Sequence, residues 1–234
     1  MRCPGTPTSR KVTSTLNRKI GNLTTSPRDL ETLESTNHIN DQVIKQSLER
    51  ASIIHSLRQV FIDELVHLQL RKNGRGKFIK SRAGQRFLKN LRSCELALFP
   101  ICTSQHWVLL VFNPAQKTLE VINSHKQIKV ENYIGLKLLK EIIQNEEPGV
   151  KLLTTRSPQQ KDTHSCGLFV IKSGEARIKK EELRSIPNPK EYRRKIRRDL
   201  QAPSYIRVNG RKYKNMQVEV SANTIKSTTE LTSV

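Results

Sequence analysis

Cys166 stands where a polar stretch, Lys161-Asp162-Thr163-His164-Ser165, gives way abruptly to the apolar run CGLFVIKSG. A thiol at the start of a helix meets unpaired backbone N–H groups and the positive end of the helix dipole, and both favour the thiolate. The polar neighbours predict that Cys166 borders solvent, with its pKa depressed. A thiol nucleophile also needs an imidazole within reach, a third group to orient the ring, and a donor for the oxyanion. His106 precedes the run WVLLVFN, and Asn123 ends the run TLEVIN. If those runs pair as a hairpin, His106 and Asn123 come together across it, and the Asn123 carbonyl oxygen accepts from a ring N–H. Gln159 and Gln160 sit in the loop before Cys166, and either amide can donate to an oxyanion. The pattern alone does not separate them. Gly167 would let the backbone run close to a substrate.

The other histidines carry blander readings. His38, His55 and His67 lie in or beside the first helical region, with no cysteine or carboxylate at metal-ligand spacing, so they read as structural or surface residues. His125 follows the strand end and is expected to face solvent. His164 points away from the sulfur, and Asp162 is poorly placed to orient His106. No metal or cofactor is expected.

The elements that must position these residues follow from the spacing of apolar residues. Asn40–Leu70 recurs every three or four positions and predicts a long helix, capped by Asn40 or Asp41 and broken near Ala51–His55. Glu95–Ile101, Trp107–Asn113 and Thr118–Asn123 read as strands, the last two joined by the turn Asn113-Pro114-Ala115-Gln116-Lys117. Glu131–Glu147 has the helical period and stops at Pro148-Gly149, and Val150–Thr155 is another strand. A helix follows from Cys166, and Glu181–Leu200 reads as a helix broken near Pro187 and Pro189. The pattern is that of an α+β domain. Residues 1–35 read as a flexible basic arm, 36–200 as the domain, and 201–234 as a loose tail.

The chain has 234 residues and a formal charge of +21, from 42 Lys and Arg against 21 Asp and Glu. That balance favours association with a polyanion through counterion release. Two clusters concentrate it: Arg71–Arg92, with nine basic residues and no acidic one, and Glu191–Leu200. Neither carries the interleaved aromatics of a base-stacking platform, so contact would be with phosphates and blind to sequence. The four cysteines match no metal pattern, and there is neither a secretory leader nor a long apolar span, which fits a reducing intracellular compartment and no membrane association.

The segments CTSQHWVLLVFNPAQKTLEVINS (Cys102–Ser124) and SPQQKDTHSCGLFV (Ser157–Val170) resemble the SUMO-specific and related ubiquitin-like-protein proteases, whose clan includes the adenovirus-type proteases. The resemblance implies a papain-like, adenovirus-protease-like fold with a central mixed sheet flanked by helices. It implies His106 as the base, Asn123 in the third position where most members have Asp, Gln160 rather than Gln159 at the oxyanion, and Cys166 as nucleophile. Trp107 is similar to a tryptophan that covers the channel for a modifier's Gly-Gly end, and HIND (His38–Asp41) to an element that opens the domain. Three departures stand out: Asn123 for Asp, His38 for a second channel tryptophan, and Ser165 for the Asp before the cysteine. The expected activity is hydrolysis of peptide or isopeptide bonds at the C-terminus of a modifier such as SUMO, in the nucleus or also the cytoplasm. Cleavage of a viral or mobile-element polyprotein is the alternative substrate. Acyl transfer by the same pair, or a catalytically weak module binding a ubiquitin-like protein or nucleic acid, are the other readings.

Overall fold

The computed structural model describes residues 25–34, 36–55, 60–103, 105–201, 205–208 and 211–214. Residues 1–24 of the expected arm and 215–234 of the expected tail lie outside the described residues. The packed region starts earlier than residue 36. The short helix α1 (Pro27–Glu31) is closed by a reciprocal Ser26/Asp29 capping box, and Leu30 and Leu33 are buried in the core.

The expected helix over Asn40–Leu70 is two helices separated by a strand. Asn40 accepts from the Val43 N–H and starts α2 (Asp41–Ile54). Val60-Phe61-Ile62 then forms β1, pairing in parallel with Leu96–Leu98. The Asp63 carboxylate accepts from the N–H groups of Leu65 and Val66 and opens α3 (Val66–Lys80), which bends at Gly74 (φ 69°). Spacing every three or four residues persists across both helices and conceals the short β-branched and aromatic strand between them.

Ser81 caps α4 (Arg82–Ser93) and is followed by β2 (Leu96–Thr103), β3 (His106–Asn113) and β4 (Thr118–Ile122). The expected hairpin forms in register Asn113↔Thr118 through Leu109↔Ile122. Helix α5 (Ile134–Glu146) crosses to β5 (Lys151–Thr154), which runs parallel to β4. The sheet order is β1-β2-β3-β4-β5, mixed as expected. Helix α6 (Cys166–Lys179) ends at Lys180 in the left-handed conformation. The expected helix over Glu181–Leu200 is confined to α7 (Pro189–Gln201), because Pro189 can begin a helix but cannot continue one, and Asn188 caps it from outside. A two-stranded pair, β6 (Tyr205–Val208) and β7 (Arg211–Lys214), follows.

The sheet separates two cores. On one side, Val43, Ile44 and Leu48 of α2 and Leu168 and Ile171 of α6 pack on Leu98, Leu109 and Val111. On the other, Leu70, Phe78, Phe87 and Leu91 of α3 and α4, with Leu139 and Ile142 of α5, pack on Phe99, Leu110 and Leu119. Both faces are covered, which explains why β2 and β3 read as continuous apolar runs rather than alternating ones. The site residues collect at one end of this sheet.

Candidate active site

His106 is the first residue of β3 and pairs with Thr103 of β2, and Gln105 just before it has φ 73°. The ring is 4% exposed, and its Nε2 lies 2.8 Å from Asn123 Oδ1. The amide of Asn123 is itself fixed: Nδ2 donates to the Ile128 carbonyl at 2.9 Å, and Oδ1 also accepts from the His125 N–H at 3.0 Å. Oδ1 therefore faces the imidazole, Nε2 carries the proton, and Nδ1 is the nitrogen left for chemistry. Burial holds His106 below its ordinary pKa. The Asn123 bond raises it, and charge on His125 lowers it further.

His125 does not face solvent as expected. Its ring stands edge-on to His106, centroids 6.0 Å apart, and its Nδ1 is buried with no hydrogen-bond partner among the described residues. The backbone bond to Asn123 turns residue 125 inward, which position after a strand end does not reveal.

Cys166 is the first residue of α6, as the sequence implied, but it does not border solvent: it is 1% exposed. Its thiol is correspondingly not depressed. Burial pushes its pKa up, and the backbone N–H groups of Trp107, Gly167 and Cys166 itself pull it part of the way back. The helix start supplies the expected donors, and desolvation outweighs them. The N–H of Trp107 immediately follows His106 in the chain, so sulfur and imidazole flank the same end of β3. Trp107, Leu109 and Val111 of β3 pack in the core shared with α6, and Val108 and Leu110 in the core on the other side of the sheet. Among the described residues no side-chain hydrogen bond reaches the sulfur. The other described cysteines, Cys94 and Cys102, are also free thiols. Burial takes Cys94 up to about 11, and its Sγ donates to the Leu91 carbonyl.

The two glutamines separate by geometry. Gln159 is tied to backbone, its Oε1 accepting from Lys126 N–H at 2.7 Å and its Nε2 donating to the carbonyls of Asn123 and Ser157. Gln160 is held by its own backbone and side chain to Ser124: the Ser124 hydroxyl donates to Oε1 at 2.7 Å, and Gln160 N–H donates to the Ser124 carbonyl. Its Nε2 spends one hydrogen on the Asp162 carbonyl at 2.6 Å and keeps a second.

Three further residues, not singled out by sequence for these roles, hold the nucleophile loop. Asp162 accepts from His164 N–H, Ser165 N–H and the Ser165 hydroxyl. Burial pushes its pKa up, but the bond from the Ser165 side chain and those from the two backbone groups outweigh it and hold the carboxyl below its usual range. Ser165, 0% exposed, thus gives its hydroxyl to Asp162 rather than capping α6, leaving the N–H groups of Cys166 and Gly167 to the sulfur. Arg193 of α7 is 2% exposed and donates to the carbonyls of Thr32 and His164. It sits within the Glu191–Leu200 run, so that cluster is not simply a basic surface.

Trp107, expected to line a substrate channel, has its indole 7% exposed with Nε1 donating to the Ile39 carbonyl at 2.9 Å. Gly167, also expected there, faces protein instead: a Cβ would lie 3.0 Å from Ile39 Cβ. It allows the start of α6 to close onto Ile39. His38 is exposed.

The model of the Ulp1 protease family, C-terminal catalytic domain, matches residues 35–204. The chain belongs to the Ulp1 protease family. Solved structures of that family share its fold. A SUMO protease Ulp1 with its catalytic cysteine oxidised to a sulfinic acid superposes with a TM-score of 0.62 at 17% identity, covering 83% of this chain and 96% of the other. The Ulp1 protease domain in complex with Smt3, the yeast orthologue of SUMO, gives 0.61 at 16%, covering 85% and 98%. The catalytic domain of the Chaetomium thermophilum Ulp1-like SUMO protease gives 0.57 at 20%, covering 85% and 92%. Comparison with curated proteins returns no match.

Proposed function

We propose that the chain is a thiol peptidase and isopeptidase acting at the C-terminus of a SUMO-type modifier, with Cys166 as nucleophile, His106 as base and acid, Asn123 as orienter and Gln160 as oxyanion donor. One observation carries the residue roles: a buried imidazole is held by Nε2 to an amide of fixed orientation, and the backbone N–H of the next residue, Trp107, helps pull down the pKa of the Cys166 thiol, with which Trp107 shares a core. The family match and the fold shared with a Smt3-bound Ulp1 domain support the substrate class.

In the free chain burial favours a neutral thiol and a neutral ring. As sulfur attacks the scissile carbonyl carbon, the S–H proton passes to Nδ1 and negative charge moves to the carbonyl oxygen. The free hydrogen on Gln160 Nε2 and the backbone N–H groups at the start of α6 are the donors available to it. The C–N bond then breaks, Nδ1–H protonates the departing amine, and a thioester remains on Cys166. Water attacks the thioester while Nδ1 takes its proton. Expulsion of the sulfur releases the carboxyl product, and the thiol recovers the proton from the ring. Because thiolate and imidazolium balance each other, an amide suffices as third member, and a carboxylate is not required for charge.

The test is hydrolysis of an amide reporter fused to the SUMO tail, against the same reporter on ubiquitin. Release from the SUMO reporter that disappears in Cys166→Ala supports the reading. Equal hydrolysis by Cys166→Ala, or turnover of neither reporter by a folded chain, removes it.

A further inference from the structure

The two basic runs differ once folded. Within α7, Arg193 is buried, Lys195 pairs with Asp199 at 2.7 Å, and Arg197 pairs with Glu34, leaving only Arg194 and Arg198 of that run without a carboxylate among the described residues. In α3 and α4, by contrast, all nine Lys and Arg between Arg71 and Arg92 are exposed. Carboxylates reach two of them, Arg75 at 3.8 Å and Arg92 at 2.6 Å, both from α5.

The apolar residues of this helix pair are turned inward. Phe78, Phe87, Leu88 and Leu91 are buried, and no large apolar residue between Arg71 and Arg92 is exposed. On α4, Arg82, Arg86 and Lys89 are spaced four and three apart and share the face opposite Phe87, Leu88 and Leu91. From Arg82 to Arg92 the row is about 15 Å long, a span that faces roughly four base pairs of a duplex.

We propose that the outer face of α3 and α4 binds the phosphate backbone of a nucleic-acid duplex. A protein partner would need apolar surface at the centre of its contact; between Arg71 and Arg92 no large apolar residue is exposed, and the exposed Leu68 lies at the edge, one turn before the basic run. A single strand would need aromatic rings to stack its bases, and Phe78 and Phe87 are both in the core. What remains is positive charge in a row, with the exposed amides of Asn73 and Asn90 as neutral donors, which suits phosphate and carries no base readout. The face also lies across the sheet from α6, the helix that opens with Cys166. A bound duplex therefore leaves the thiol layer uncovered, and the chain can hold nucleic acid and a protein substrate together.

The experiment measures binding of a fluorescent 30-base-pair DNA duplex by the full chain across a salt series. The triple variant Arg82→Gln, Arg86→Gln, Lys89→Gln is compared with Lys190→Gln, Arg194→Gln, Arg198→Gln, which removes the same charge from α7. The α4 triple is expected to bind at least tenfold more weakly near 0.1 M salt, with its log–log salt slope reduced by about 2–3. The α7 triple is expected to stay close to the parent, and hydrolysis of the reporter by the α4 triple to be unchanged. Three results would each overturn the proposal: the α4 triple binding like the parent, both triples weakening equally so that net charge alone matters, or polyglutamate of matched charge displacing the duplex completely.

Discussion

At the level of single residues, the imidazole is pulled in opposite directions by its neighbours, and each pull can be removed separately. Burial lowers the His106 pKa first, Asn123 raises it, and His125 lowers it. His125→Ala should move the acidic limb of the rate–pH profile to higher pH, and Asn123→Ala should move it lower with a large loss of rate. A pH series on both variants checks the signs. The sulfur is 1% exposed and its pKa raised, so the free chain should alkylate slowly with iodoacetamide at neutral pH. His106 and Asn123 were legible because hairpin register converts seventeen residues of sequence into one contact. Burial of Cys166 was not. Polar neighbours within five residues say nothing of Ile39 and Trp107, which arrive from elsewhere in the chain.

At the level of elements, the close approach of α2 and α6 fixes where the nucleophile starts. Gly174 faces Leu48 so tightly that a Cβ would stand 2.3 Å from its Cδ2. Gly174→Ala should cost roughly 1–3 kcal/mol in urea unfolding. Arg193 ties α7 to the nucleophile loop and to Thr32. Arg193→Met leaves two carbonyls without their donor and should destabilise the fold by about 2–4 kcal/mol. The central strands and the hairpin followed from short β-branched runs punctuated by Asn-Pro and Pro-Gly; the order of the sheet did not. The strand at Val60–Ile62 did not, since three residues are too few to interrupt a helical period. Arg193 lay beyond inference for a different reason: a basic run reads as surface until the fold shows which member turns inward.

At the level of the whole molecule, acid should weaken the fold through His67. It is buried in the α3 core with neither ring nitrogen hydrogen-bonded among the described residues. Burial first, and the Arg71 charge second, lower its pKa from 6.5 to about 4. The unfolded chain binds this proton and the folded chain does not, so stability is full above pH 6.5 and declines as pH falls towards 4, by roughly 3 kcal/mol at the limit. Chemical unfolding of the parent and of His67→Phe at pH 7.5 and pH 5 should show a smaller drop in the variant.

The central claim is that Cys166 is the nucleophile and His106 activates it. Treating the chain with a SUMO tail ending in a vinyl sulfone, then mapping the adduct by peptide mass spectrometry, tests it most directly. The adduct should sit on Cys166 and should fall by at least a hundredfold in a folded His106→Ala variant. An adduct on Cys94 or Cys102, or undiminished labelling of Cys166 without the imidazole, would contradict it.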